Sequence, residues 1–427
     1  MGLFGTSGIR RQADRTLVEI ALKTGLALGL SRREVVVATD TRTSSPAMKH
    51  ALLAGLLAAG AHPHDAGIVP TPTLALAARR FAAGVMITAS HNPPEYNGIK
   101  VFNPDGSSYD EEQQADLEGR MQSVPAAKWA DMAMTVSPCP NAVAEHIEHI
   151  VARVKPAGRV RVVLDCAGGA ASVISAGLLR RLGADVVELN CQPTGLFPHP
   201  VEPVEANLGD LIKAARELGA IGIAHDGDAD RMMAVDERGG VLSGDKMLVL
   251  LARHLRAKSV VTTVDASMVI EEMGFGVTRT SVGDSYVSAQ LRRGGDFGGE
   301  PSGSWVFPQS TLCPDGVLAA AYLVEIASRS RLTELADGIP DYPIRRGSLV
   351  SDGATMARLR EPLLAMRPLA VSEMDGLKLS FADGWLLVRP SGTEPRVRVT
   401  AEAKTGPRAD ELYDQAVDII RGLIEKR

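Results

Sequence analysis

The sequence predicts an α/β protein, with three related α/β units followed by a smaller C-terminal α+β domain. Two patterns carry that prediction. Three times, a short apolar, β-branched run ends in Asp and passes through a small-residue loop into a helical stretch. From about Pro343 onward the pattern changes to alternating strands closed by one helix. A strand of four to eight apolar residues, a turn, a helix and a Gly is the written form of a β-α-β unit.

The first copy runs from Glu34-Val35-Val36-Val37-Ala38-Thr39-Asp40 into a helix from Met48 to Ala59, closed by Gly60. The second runs from Val160-Arg161-Val162-Val163-Leu164-Asp165 through Cys166-Ala167-Gly168-Gly169 into a helix ending at Leu182. Its next strand is Asp185-Val186-Val187-Glu188. The third begins at Ser259-Val260-Val261-Thr262-Thr263-Val264-Asp265, with a short helix from Met268 to Met273. Such units normally build parallel sheets covered on both faces, with ligands at the carboxyl ends of strands. The tail carries strands around Leu377–Ser380 and Trp385–Val388 and a helix from Arg408. Turn- and Pro-rich stretches at 123–140, 236–240 and 337–340 divide the chain into 1–138, 139–237, 238–340 and 341–427.

Composition removes several function classes. The chain has 427 residues, 46 basic and 51 acidic, for a formal net charge of -5. No long basic run is present, which argues against nucleic acid as the partner. The longest apolar stretch, Ala51 to Ala61, is interrupted by Gly55 and Gly60 and falls short of the ~20 residues that span a bilayer. It reads most simply as a core helix. Cys139, Cys166, Cys191 and Cys313 lie far apart with no CxxC pair, so neither a zinc site nor a disulfide framework is indicated. The expectation is a soluble, cytoplasmic, multidomain protein, with homo-oligomerisation left open. Met1 to Thr6 also fits the N-myristoylation template. We prefer to read Gly5-Thr6-Ser7-Gly8-Ile9-Arg10 as a loop whose amides and hydroxyls face an anion.

Four further loops carry chemistry. The first, Thr88-Ala89-Ser90-His91-Asn92-Pro93, follows the strand 84–87, so Ser90 sits at a carboxyl end. The Ser-His pair invites a hydrolase reading, but no G-x-S-x-G elbow accompanies it. A plain strand-ending turn competes on even terms. The second, Asp226-Gly227-Asp228-Ala229-Asp230-Arg231, follows the strand 220–223 and places three carboxylates at alternate positions. Like charges this close repel unless something binds them, and oxygen-only donors suit Mg²⁺. Arg231 alone cannot neutralise three carboxylates. An EF-hand reading fails because Arg231 occupies the position that requires Gly. The third, Gly298-Gly299-Glu300-Pro301-Ser302-Gly303-Ser304, is a weak signal that offers Glu300 and Ser302 to a sugar's vicinal hydroxyls. The fourth runs from Arg389 to Arg398. There Ser391, Gly392 and Thr393 form an amide nest between Arg389 and Arg396, two residues that grip phosphate in bidentate fashion.

Taken together, the four loops and the opening Gly5 to Arg10 resemble the α-D-phosphohexomutase superfamily, in the family's order and over nearly the whole chain. The resemblance implies three similar α/β/α domains and a smaller C-terminal one around a central cleft. It implies a phosphoryl group on Ser90, and Mg²⁺ held by Ser90, Asp226, Asp228 and Asp230. It implies Arg10, Lys100 and Arg231 at the transfer site. Ser7, Glu300 and Ser302 would contact the sugar, and Arg389, Ser391, Gly392, Thr393 and Arg396 the distal phosphate. The substrate implied is a small hexose phosphate, with a hexose 1,6-bisphosphate as intermediate and activator. Lys100 is the more plausible proton carrier, because an arginine is a poor base. The Arg-Pro-Ser-Gly-Thr-Glu-Pro form of the last loop is similar to phosphoglucosamine mutases, including the archaeal-type branch. Mannose and glucose phosphates are the alternative substrates. Ser304 and Ser281 depart from common family forms, which have histidine and lysine there.

The remaining histidines read as surface residues. His62 with His64, and His146 with His149, suggest metal pairs, but no carboxylate accompanies them at ligand spacing.

Overall fold

The computed structural model describes the chain apart from residues 1, 124–131, 134, 351–352, 391–395 and 426–427, and describes 353–357 and 425 by backbone only. It groups into two compact units, Met1–Val260 with Gly283–Gly338, and Val261–Val282 with Ile339–Arg427.

The first unit opens on six strands, β1 (Ile9–Gln12), β2 (Glu34–Thr39), β3 (His62–Ile68), β4 (Ala83–Ile87), β5 (Tyr96–Phe102) and β6 (Ser137–Pro138). Their order in the sheet is β1-β5-β4-β2-β3-β6. Consecutive side chains of a strand point to opposite faces, and here both faces are buried. Val35 and Val37 pack with Leu17, Leu28, Leu52 and Leu56 from the helices Arg15–Gly29 and Ser45–Ala58. Val36 and Ala38 pack on the other side with Leu74, Ala75 and Ala142. That double burial is why the strand reads as an unbroken apolar run. A second sheet follows, with β7 (Arg161–Asp165), β8 (Asp185–Leu189), β9 (Ile221–His225) and β10 (Met232–Val235) in the order β10-β9-β7-β8. The third α/β segment contributes β11 (Ser259–Thr263), β12 (Gly276–Thr280), β13 (Phe297–Gly299) and β14 (Trp305–Val306).

The second unit ends in a five-stranded antiparallel sheet, β15 (Ile344–Val350), β16 (Ala370–Ser372), β17 (Leu377–Ser380), β18 (Gly384–Pro390) and β19 (Arg396–Ala403). Alternate residues Leu377, Leu379, Leu386, Val388, Val397 and Val399 meet Leu359, Leu363, Leu412, Ala416 and Ile420 of two helices. This is the expected α+β domain.

The expectation of parallel sheets needs correction. β2, β3, β4 and β6 run parallel, as do β7, β8 and β9, but β1, β5 and β10 are antiparallel to their neighbours. For β5 and β10, chain length is the reason. A parallel crossover takes about a dozen residues or more. Only residues 88–95 join β4 to β5, 226–231 join β9 to β10, 300–304 join β13 to β14, and 391–395 join β18 to β19. All four chemistry-bearing loops are therefore connections between antiparallel neighbours.

The histidines also differ from expectation. His146 is fully buried on the inward face of the helix Ala142–Val151, between Thr73 Oγ1 at 2.8 Å and Asp315 Oδ2 at 3.1 Å. Glu34 does accompany His62 and His64, arriving from the neighbouring strand. Cys166 and Cys191, 25 residues apart in sequence, bring their Sγ atoms within 3.1 Å as free thiols at the ends of β7 and β8. Among the described residues no helix is long and apolar enough to cross a membrane.

Candidate active site

Ser90 and the three aspartates meet in one buried cluster of the first unit. Ser90 Oγ donates to Asp226 Oδ2 at 2.7 Å, and the side chains of Ser90, Asp226 and Asp228 are almost fully enclosed. The Ser90 backbone is left-handed (φ 51°), as is that of Ala229 (φ 56°). Side-chain-bearing residues adopt that region at a cost of about 1–3 kcal/mol, so the surroundings must enforce it. They do so by close backbone approach. A Cβ on Gly227 would lie 2.6 Å from the Ser90 carbonyl oxygen, and one on Gly169 would lie 2.6 Å from the Gly227 carbonyl. Thr71, the first residue of the helix Thr71–Ala78, fixes Asp228 twice, its N–H donating to the Asp228 carbonyl at 2.9 Å and its hydroxyl to Asp228 Oδ2 at 2.6 Å.

Arg42 carries the other half of the Ser90 loop and was not read from the sequence. Its side chain is fully buried. One terminal nitrogen donates to the carbonyls of Ser90 (2.8 Å) and Asn92 (2.7 Å), the other to those of Pro93 (2.7 Å) and Tyr96 (2.8 Å). Its Nε pairs with Asp40 Oδ2 at 3.0 Å, and Asp40 also accepts from the hydroxyls of Thr88 and Ser45. A planar fork of five donors is what lets one side chain hold four carbonyls and a carboxylate. No local pattern around Arg42 signals this, since its four carbonyl partners lie 48 to 54 residues away.

Lys100, on β5, supplies part of the neutralisation that the sequence assigns to a divalent metal because Arg231 alone cannot provide it. Its Nζ lies 2.8 Å from Asp228 Oδ2 and 2.5 Å from Asp230 Oδ2. Burial works against the ammonium, but the two carboxylates outweigh it and raise the Lys100 pKa. Burial also pushes Asp226 and Asp230 up, reinforced by their neighbouring carboxylates. For Asp228 burial is overcome by Lys100 and Thr71, which hold it down. Arg231 is shared with Glu202 at 3.7 Å. His91 lies 3.4 Å from Ser90 Oγ, but burial and the nearby Arg231, Arg10 and Lys100 charges push it down to about 2. A neutral imidazole of that kind is a poor base, which weakens the hydrolase reading.

The trio has the form of a candidate metal site. One carboxylate oxygen from each aspartate lies within 4.8 Å of the others. Asp228 Oδ1 and Asp230 Oδ1 are buried without a hydrogen-bond partner among the described residues, as is Arg10 Nε. Orphaned buried acceptors are rare and costly. Two such oxygens beside a serine hydroxyl form an all-oxygen donor set, and this fits a hard divalent cation such as Mg²⁺.

The predicted sugar residues lie within the same unit. Met232 N–H donates to the Gly303 carbonyl at 3.0 Å, so the 300–304 loop abuts the end of the metal loop. Glu300 accepts from Gly283 N–H at 2.8 Å and from Ser302 Oγ at 3.3 Å. Ser7 Oγ donates to the buried Asp284 Oδ1 at 2.5 Å, an acid the sequence reading did not single out. In the second unit, Arg389 Nη1 lies 3.1 Å from Asp375 Oδ2, which also accepts from Val282 N–H at 3.0 Å. Arg396 Nε donates to Ser348 Oγ at 2.8 Å. Ser391, Gly392 and Thr393 lie outside the described residues.

Known proteins resemble this chain over its whole length. Family models described as phosphoglucomutase/phosphomannomutase α/β/α domains I, II and III match residues 1–128, 143–240 and 243–342, and the C-terminal domain of that family matches 350–419. A probable phosphoglucosamine mutase of Methanocella arvoryzae is 44% identical over 436 residues, covering 100% of this chain and 99% of that protein. One from Methanococcoides burtonii is 44% identical over 433 residues, covering 99% of each. A crystal structure of a phosphoglucomutase/phosphomannomutase family protein from Burkholderia thailandensis superposes with a TM-score of 0.87 at 29% identity, covering 98% of this chain and 97% of that one. With four domain models matched in order and relatives aligned from end to end, the chain belongs to the phosphoglucomutase/phosphomannomutase family, the α-D-phosphohexomutase superfamily.

Proposed function

We propose that this phosphohexomutase interconverts glucosamine 6-phosphate and glucosamine 1-phosphate, using a phosphoryl group carried on Ser90 and a bound 1,6-bisphosphate. The observation that carries the reading is Ser90 Oγ on Asp226, within a trio that leaves two carboxylate oxygens unpartnered among the described residues. The sugar assignment rests on the relatives named above as probable phosphoglucosamine mutases.

Charge supports the same reading. The carboxyl groups of Asp226, Asp228 and Asp230 lie among the cations Lys100, Arg10 and Arg231. A phosphoryl group on Ser90 adds about two negative charges. Ser90, Asp226, Asp228 and Asp230 would hold the Mg²⁺ that offsets them and polarises the phosphoryl oxygens. Phosphoryl transfer needs positioning and charge neutralisation more than covalent help. In the forward step the sugar hydroxyl oxygen bonds to phosphorus as the phosphorus–Ser90 Oγ bond breaks. A proton moves from sugar oxygen to Ser90 Oγ, and we assign its carriage to Lys100, which Asp228 and Asp230 keep as the ammonium, so that it gives a proton to Ser90 Oγ as it takes up the sugar's. Turning the bisphosphate end over end then returns its other phosphate to Ser90.

The turn requires a second, fixed phosphate anchor, which we assign to Arg389, Ser391, Gly392, Thr393 and Arg396. Arg389→Ala should raise KM about 10- to 100-fold with a much smaller change in kcat, because a charge-assisted hydrogen bond contributes about 1.5–3 kcal/mol. Steady-state kinetics checks this, and an unchanged KM would remove Arg389 from the distal site. Glu300, Ser302 and Ser7 we assign to the sugar hydroxyls.

Substrate identity is tested by phosphorus NMR of the phosphorylated protein with Mg²⁺ and a trace of hexose bisphosphate, offered glucosamine, mannose and glucose 6-phosphates in competition. Glucosamine 1-phosphate should appear fastest. Faster mannose or glucose turnover would keep the mutase chemistry and reassign the sugar.

A further inference from the structure

The edge of the first sheet carries a second cluster of metal-binding side chains, remote in chemistry from the oxygen-only trio. His62 and His64 sit two apart on β3, so both imidazoles leave the same face of the strand. Glu34 is the register partner of His62 on the neighbouring β2, which sets its carboxylate on that face. His64 Nε2 lies 2.6 Å and His62 Nδ1 3.6 Å from the same oxygen, Glu34 Oε2. One donor atom from each residue lies within 4.8 Å of the other two.

The supports of this cluster are as informative as its donors. Metal-binding imidazoles usually engage a fixed partner through the ring nitrogen that does not bind the ion. His62 Nε2 does so, 2.8 Å from Ser137 Oγ on β6, which leaves Nδ1 facing Glu34. His64 is packed against the Phe81 ring, with centroids 4.5 Å apart. The nearby guanidinium of Arg80 is taken up by Glu145 at 2.7 Å. The three donors themselves are partly open, with side-chain exposures of 41% for His62, 18% for His64 and 50% for Glu34, so an ion and its water ligands can enter.

We propose that Glu34, His62 and His64 form a second metal site, which takes a borderline divalent transition ion such as Zn²⁺ and staples β2 to β3. Two nitrogens and one carboxylate oxygen are a Zn²⁺ donor set, whereas Mg²⁺ selects the all-oxygen trio. The ion replaces the proton that His64 Nε2 shares with Glu34, and that proton is released to solvent.

The test uses the full chain, stripped with chelator, in four forms: wild type, His62→Ala/His64→Ala, Ser137→Ala and Asp228→Asn. Zn²⁺ is counted by equilibrium dialysis, and Co²⁺ is followed by its visible absorption. The wild type should bind one more equivalent of Zn²⁺ than the double-histidine variant. The Co²⁺ bands of a nitrogen-containing site should persist in Asp228→Asn and vanish without the histidines. Ser137→Ala should weaken this site about 10- to 100-fold through loss of the imidazole's fixed partner. Retained Mg²⁺-dependent mutase activity shows that the double variant is folded. If it is not, Glu34→Gln serves in its place. Equal Zn²⁺ stoichiometry and an unchanged Co²⁺ spectrum in the folded variant would overturn the proposal.

Discussion

Replacing Ser90 by alanine is expected to abolish isomer interconversion, with kcat falling by about 10⁴-fold or more, the scale seen when an enzyme loses the group that forms its covalent intermediate. The substitution removes one oxygen and little else. Ser90 Oγ contacts Asp226 and lies near His91, while the loop itself is held through backbone atoms by Arg42 and Gly227. Folding should therefore survive, and the thermal midpoint should move by no more than a few degrees. The paired outcome separates chemistry from stability. A Ser90→Ala protein that still interconverts the two isomers at an appreciable rate would remove the phosphoserine from the mechanism.

Arg42→Ala should instead strike structure and activity together. It deprives four loop carbonyls of their donor and leaves the carboxylate of Asp40 without its cation. Burial already pushes Asp40 up against the pull of Arg42, so losing the guanidinium leaves an uncompensated charge inside the domain. Breaking a buried pair in this way costs about 3–5 kcal/mol. In a domain of this size that lowers the thermal midpoint by on the order of 10 °C. Activity should fall as well, because the left-handed turn at Ser90 loses one of the groups that enforces it. Arg42→Lys should recover little, since one ammonium cannot span five acceptors. Thermal unfolding and steady-state kinetics on both variants check this. Near-wild-type values for Arg42→Ala would mean that the loop is held without it.

What could be read from the sequence, and what could not, follows from the range of the interactions involved. The strands at 34–39 and 161–165 are legible because each is buried on both faces, which forces an unbroken apolar run. The three aspartates are legible because one loop carries them all. Lys100, Arg42 and Asp284 act on residues far away in the chain, and a lysine, arginine or aspartate announces no distant partner. Lys100 reached the sequence reading through family resemblance, with its two carboxylate contacts unseen. Arg42 and Asp284 were missed. Glu34 was overlooked for the same reason, since it meets His62 and His64 only through the parallel register of two strands. The antiparallel pairings across the four chemistry-bearing loops follow from connection length, a signal present in the sequence and available to a count of residues between strands.

The account's central claim is that phosphate moves between Ser90 and sugar without reaching water, and a single turnover tests it most directly. Protein carrying phosphate on Ser90 is mixed, in excess over glucosamine 6-phosphate, with Mg²⁺ and followed by phosphorus NMR. The account predicts that glucosamine 1-phosphate and 1,6-bisphosphate form with almost no inorganic phosphate. Inorganic phosphate appearing in step with the loss of phosphoserine would contradict it and make the protein a phosphatase.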